Sequence, residues 1–184
     1  MLGCLDYGRH ARGPREQAAP PIVLLHGQAD SAWSMHWIAE ALAPMAPVYS
    51  LHHRGHGTSD RGAYTLLHMI GDLRGAIDAL ELESPILIGH SLGGQVAAQF
   101  CGLYSEIPRA VTLIEGLGPP VNRTRTRTAD EVEWSWARWV ADIVRQPVGS
   151  RPMPDVDDAV RRFARAHPLL APDRARFLVE RSIR

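Results

Sequence analysis

The stretch that most constrains this chain is Pro85 to Gln95, read as Pro-Ile-Leu-Ile-Gly-His-Ser-Leu-Gly-Gly-Gln. An apolar run, Ile86-Leu87-Ile88, leads into Gly89-His90-Ser91-Leu92-Gly93, and the residues from Gly94 to Phe100 read as the start of a helix. A strand, a serine between glycines and then a helix make the G-x-S-x-G elbow. A turn that tight strains the serine backbone, and a Cβ at either flanking glycine would collide with a neighbouring strand or helix. Folded this way, Ser91 stands clear of the sheet at a helix N-terminus. The Leu92 N–H is then placed to bind a developing oxyanion.

Upstream, Ile22-Val23-Leu24-Leu25-His26 is continuously apolar and partly β-branched, as expected of a strand buried on both faces of a parallel sheet. It ends at Gly27. A loop over Gln28-Ala29-Asp30-Ser31 follows, with Asp30 or Ser31 placed to cap a helix over residues 32–42. Trp33, Trp37, Ile38 and Leu42 recur at helical spacing and predict its buried side. Val48-Tyr49-Ser50-Leu51 is the next strand, running into a glycine-punctuated loop from His52 to Asp60. Asp60 reads as a residue that orders this loop. Residues 64–82 carry Leu66, Leu67, Ile70, Leu73, Ile77 and Leu80 at helical spacing. After the elbow helix, Ala110-Val111-Thr112-Leu113-Ile114 is a further strand, ending at Glu115.

Strands alternating with helices predict an α/β fold with a doubly wound, mostly parallel sheet. Ligands in such sheets sit at the carboxyl ends of the strands. His26-Gly27, the loop from Arg54 to Asp60, Ser91 and Glu115 all fall at those ends. From Val121 the pattern changes. Arg123-Thr124-Arg125-Thr126-Arg127-Thr128 reads as a solvated linker. Three helices are then predicted: residues 129–145 with Trp134, Trp136 and Trp139, one starting at Asp155, and one starting at Pro172-Asp173. The tryptophans at helical spacing read as ordinary packing.

With 184 residues and a formal net charge of zero, the chain can bury a sizeable core and has no global field drawing it to nucleic acid or anionic membranes. Lys is absent, so Arg supplies every fixed positive charge. Cys4 and Cys101 make neither a metal spacing nor a disulfide framework, which suits a reducing compartment. The N-terminus lacks the pattern of a signal peptide, and no apolar run approaches the ~20 residues of a membrane span. The expectation is a cytoplasmic protein, with oligomeric state left open.

The Leu25-His26-Gly27 turn, the run from Arg54 to Ser59 after the second buried strand, and Gly89 to Gly94 stand together in an order and spacing that resembles the α/β-hydrolase family. The stretch from Leu113 to Pro119 and the helices after it are similar to its serine-hydrolase-like branch, in which a helical cap follows the strand after the elbow. The resemblance implies residues 1–120 as the N-terminal part of the core and 121–184 as a helical cap segment. It also implies a Ser–acid–His triad in that chain order, acting on a small ester or related acyl substrate, with no metal or cofactor. Ser91 matches the nucleophile, and the Leu92 and Gln28 N–H groups match the two oxyanion donors. Glu115 is the candidate acid, although some branches carry the acid one strand later.

The chain departs from that pattern in one respect. The family's sheet continues after the cap with two more strands, and the catalytic histidine follows the last of them. Here the final core strands are absent and the catalytic histidine is not found. His167, the one histidine after Ser91, stands at a helix end with no strand before it and reads as helix-terminal. A truncated gene product or a fragment is the plainest expectation, with the edge of the strand at 110–115 left uncovered. Two readings stay open: a serine hydrolase, or a catalytically incompetent fragment or binding scaffold that keeps the fold.

Overall fold

The computed structural model describes residues 1–8, 19–116 and 154–182. The expected linker at 123–128 and the helix carrying Trp134, Trp136 and Trp139 lie outside the described residues. Among the described residues, five strands form one sheet: β1 (Cys4–Asp6), β2 (Ile22–Leu25), β3 (Val48–Leu51), β4 (Ile86–His90) and β5 (Ala110–Ile114), in the order β1-β3-β2-β4-β5. β1 runs antiparallel to β3, and every other pairing is parallel. The helices are α1 (His36–Leu42), α2 (Leu66–Ala79), α3 (Leu92–Leu103), α4 (Val156–Ala166) and α5 (Pro172–Ser182). None of the described helices is long and apolar enough to cross a membrane.

β2 explains why the sheet needs helices on both faces. All four of its side chains are buried. Val23 and Leu25 pack with Leu73 and Ile77 of α2 and Val96 and Phe100 of α3. Ile22 and Leu24 pack on the other face with Met35 and Ala39. The chain leaves β2 through α1 to reach β3, then crosses back through α2 to β4. Right-handed crossovers in opposite directions put α1 on one face and α2 and α3 on the other. The direction reverses between β2 and β4, so the crevice at the carboxyl ends of these two strands is the topological switch point.

Two local expectations are corrected. The segment after Ser31 opens as a 3-10 turn, Ala32–Met35, before α1 begins, and Ser31 makes no side-chain cap. The tighter turn shifts the helical register. Ala32, Met35 and Ala39 face the sheet, while Ile38 is 37% exposed. Trp33 and Trp37 lie on the outer side and are only half-buried. The helix expected over 64–82 is shorter, α2, with Thr65 as its N-cap accepting the His68 N–H. Among the described residues β5 is the last strand of the sheet, with Val111 39% and Ile114 37% exposed.

Candidate active site

β4 hands over to α3 at a single residue. Ser91 has φ 50° and ψ −113°, in the left-handed half of backbone space that a residue with a Cβ avoids at a cost of about 1–3 kcal/mol. Three hydrogen bonds hold it there. The Ser91 N–H donates to Ile114 O at 2.8 Å, the Gln95 N–H to Ser91 O at 3.1 Å, and the Gly93 N–H to His26 O at 3.1 Å. The flanking glycines are sterically required. A Cβ on Gly89 would strike the Gly93 backbone, and one on Gly93 would strike the backbone of Leu25 and His26. α3 is thereby drawn down onto β2 and β4. Leu92 is its first residue, so its N–H has no acceptor within the helix.

The loop after β2 is fixed by a knot of histidines. His26 Nε2 accepts the His53 N–H at 3.0 Å. The ring proton therefore sits on Nδ1, which donates to Gly27 O at 2.7 Å. His53 Nε2–H donates in turn to His26 O at 3.0 Å, and His52 Nδ1 accepts the Ala32 N–H at 3.1 Å. His26, His52 and His53 are buried, and the His26 and His53 rings lie 4.5 Å apart. Burial pushes His26 well below the usual histidine range, and neighbouring His53 adds to the effect. Burial likewise lowers His53 to about 4. These neutral rings bond backbone groups and each other's loops. Among the described residues no three His, Cys, Asp or Glu side chains are arranged to hold a metal ion. The next loop is tied to α2 by a fork from Arg54, with Nε donating to Asp72 Oδ2 at 2.6 Å and Nη2 to Asp72 Oδ1 at 2.7 Å. The Asp60 N–H donates to Met1 O and its carbonyl accepts from Gly55, so Asp60 orders its loop.

Ser91 and Gln28 line a common cavity of about 750 Å³ at the switch point. Ala29, beside Gln28, has φ 57°, so this loop is strained as Ser91 is. Glu115 also has a left-handed φ, 54°, and is exposed just past β5. It follows Ile114, the register partner of His90. Glu115 is thus close in the sheet to the elbow, but it does not line the cavity.

The opposite wall comes from α4, α5 and the turn between them, including Phe163, His167, Leu170 and Leu178. α5 is seated by Phe177, whose ring stacks on His36 at 4.7 Å and meets Trp33 at 5.9 Å and Trp37 at 5.5 Å. Arg181 lies over the Phe177 ring at 3.8 Å, and Arg174 over Trp37 at 4.9 Å. The Ser31 and Ser182 hydroxyls meet at 2.8 Å. Sequence reasoning missed that His167 shares a cavity with Ser91. No local pattern carries it, because the approach depends on how α5 docks against Trp33, His36 and Trp37.

Comparison with known proteins gives a consistent picture. Residues 20–152 match the family model described as alpha/beta hydrolase fold. A serine hydrolase-like protein of Danio rerio is 31% identical over 102 residues, covering 53% of this chain and 31% of the relative. Epoxide hydrolase B of Mycobacterium tuberculosis is 33% identical over 113 residues, covering 58% of this chain and 32% of the relative. Among solved structures, the thioesterase domain from the curacin biosynthetic pathway superposes with a TM-score of 0.72 at 21% identity, covering 98% of this chain and 60% of that one. The hypothetical protein PA1622 from Pseudomonas aeruginosa PAO1 gives a TM-score of 0.67 at 26% identity, covering 90% and 58%. The matches therefore span under a third of these curated relatives and 58–60% of these solved chains.

Proposed function

The chain belongs to the α/β-hydrolase fold family, and from that premise we propose that it is a serine hydrolase of esters or related acyl compounds, with Ser91 as nucleophile. The observation that carries this reading is the strained Ser91 backbone at the β2–β4 switch point, beside a cavity large enough for a small substrate. The Ser91 hydroxyl attacks the substrate carbonyl, an Oγ–C bond forms, and the Ser91 proton passes to a base. The Leu92 and Gln28 N–H groups hold the oxyanion. Collapse expels the alcohol, which takes up the proton. Water then cleaves the acyl-serine to release the acid and regenerate Ser91. Glu115, just past β5, is the candidate acid of this arrangement, with the role of orienting a histidine. In this reading residues 1–120 form the catalytic core and residues 121–184 form a helical cap over it. Cys4 and Cys101 are free thiols, which fits a reducing, cytoplasmic setting.

Serine also argues for acyl rather than epoxide chemistry. Opening an epoxide with a serine would leave an alkyl ether, which water does not readily cleave, whereas an acyl-serine ester hydrolyses. A second reading, a non-catalytic scaffold, is favoured by one observation. Among the described residues no histidine hydrogen-bonds Ser91; of those lining the cavity, His90 packs against Gly27 and His167 comes from the far wall. Without a base the oxyanion hole and binding leave only about 10³–10⁴-fold over water. Hydrolysis of a p-nitrophenyl ester by the chain and by Ser91→Ala decides between them. The hydrolase reading expects turnover that Ser91→Ala abolishes, and equal rates for the two proteins would leave the scaffold.

A further inference from the structure

The cavity beside Ser91 is chemically lopsided. Its sheet side carries the polar groups, namely Gln28, Asp30, His90 and Ser91. Its helical side is mostly apolar, with Phe163, Leu170 and Leu178 around the single imidazole of His167, and Met35 and Trp37 add further apolar lining. Among the described residues that line it, the one fixed charge is the Asp30 carboxylate, which also accepts the Ser31 N–H at 2.8 Å. The nearby cations are engaged elsewhere. Arg174 lies over the Trp37 ring and Arg181 over Phe177, and neither lines the cavity.

We propose that this cavity selects uncharged esters whose acyl group is an apolar chain or single ring, seated between Trp37 and the Phe163–Leu170–Leu178 wall with its carbonyl at Ser91. Burial of each methylene against such a wall strengthens binding. An acyl group ending in a carboxylate would instead lose its hydration, meet Asp30, and find no lysine or arginine among the described lining residues to repay the loss. The volume of about 750 Å³ accommodates a chain of several carbons together with a leaving group. This selectivity rests on Ser91 as the attacking group, but the wall itself does not.

The test separates the two. The chain is assayed on p-nitrophenyl acetate, hexanoate and hemisuccinate. Hexanoate is expected to exceed acetate in kcat/KM by at least about tenfold, with hemisuccinate at or below acetate. Leu170→Asp, on the turn between α4 and α5, is expected to bring the hexanoate-to-acetate ratio of kcat/KM close to one. A flat series, or a preference for hemisuccinate, overturns the proposed selectivity and leaves Ser91 as nucleophile untouched. Binding to Ser91→Ala, followed by saturation-transfer NMR with methyl hexyl ketone and with octanoate anion, decides the matter even if no ester turns over. Ketone binding that Leu170→Asp removes supports the apolar wall. Equal or stronger binding of the anion, or no binding of either, overturns it.

Discussion

The two walls of the cavity are held in different ways. On the sheet side, position is set by backbone. Gly89 and Gly93 leave no room for a Cβ, Ser91 is pinned by bonds with Ile114 and Gln95 while the Gly93 N–H donates to His26 O, and the turn at Gly27 is locked by buried histidines. On the helical side, position is set by side-chain stacking. Phe177 rests on Trp33, His36 and Trp37, with arginines over the rings and a single hydroxyl pair at the end of α5. Backbone contacts between close-packed strands and helices tolerate almost no displacement. Stacked, half-exposed rings tolerate much more. In the proposed reading, chemistry belongs to the rigid wall and selectivity to the adaptable one.

The sharpest way to break this contrast is to place a methyl group in the rigid wall. Gly93→Ala would press a Cβ into the backbone of Leu25 and His26, and no side-chain rotation relieves it. It is expected to cost on the order of 3 kcal/mol, read as a drop in the urea midpoint, and to abolish whatever activity the chain has. A midpoint within error of wild type would show that the elbow is not packed as described.

Acid probes the same wall more gently. Burial lowers His26 and His53 in the fold, so the unfolded chain binds more protons than the folded one below the ordinary histidine value of 6.5. Stability is then expected to fall as pH drops from 6.5 towards about 4, where His53 titrates in the fold. The slope is up to about 1.4 kcal/mol per pH unit for each group. The loss is therefore acidic, and raising pH above 6.5 is expected to leave this contribution intact. Denaturation followed across that window in wild type and His53→Gln checks it, since the variant should show a shallower slope.

The smallest expected effect lies on the other wall. Phe177→Ala removes the ring that seats α5, but Phe177 is only half-buried. Its cost is expected to be about 1 kcal/mol, below the ~3–5 kcal/mol of a fully buried phenylalanine. Kinetically, KM should rise while kcat holds, because the substrate loses a wall and Ser91 keeps its geometry. A fall in kcat at unchanged KM would mean that the helical wall takes part in the chemistry.

How much of this was legible in the sequence follows the same division. The strands could be read because burial on both faces writes continuous apolar runs such as Ile22–Leu25. The elbow could be read because its steric demands write glycines at fixed offsets from Ser91. The α1 region was misread. Its tryptophans look like a buried stripe, but a 3-10 turn and the small residues Ala32 and Ala39 put another face on the sheet. Phe177, which covers the tryptophans, lies far along the chain, and no local pattern announces that docking. The histidine knot was equally silent, since His52 and His53 carry no motif and act through backbone groups brought in by strand pairing.

The central claim is that Ser91 is the nucleophile, and covalent labelling tests it without reference to substrate. The chain is treated with a fluorophosphonate, and the modified peptide is located by mass spectrometry in wild type and in Ser91→Ala. A single adduct on Ser91 is expected in the wild-type protein and none in the variant. An unlabelled Ser91, or the same labelling in both proteins, would contradict it.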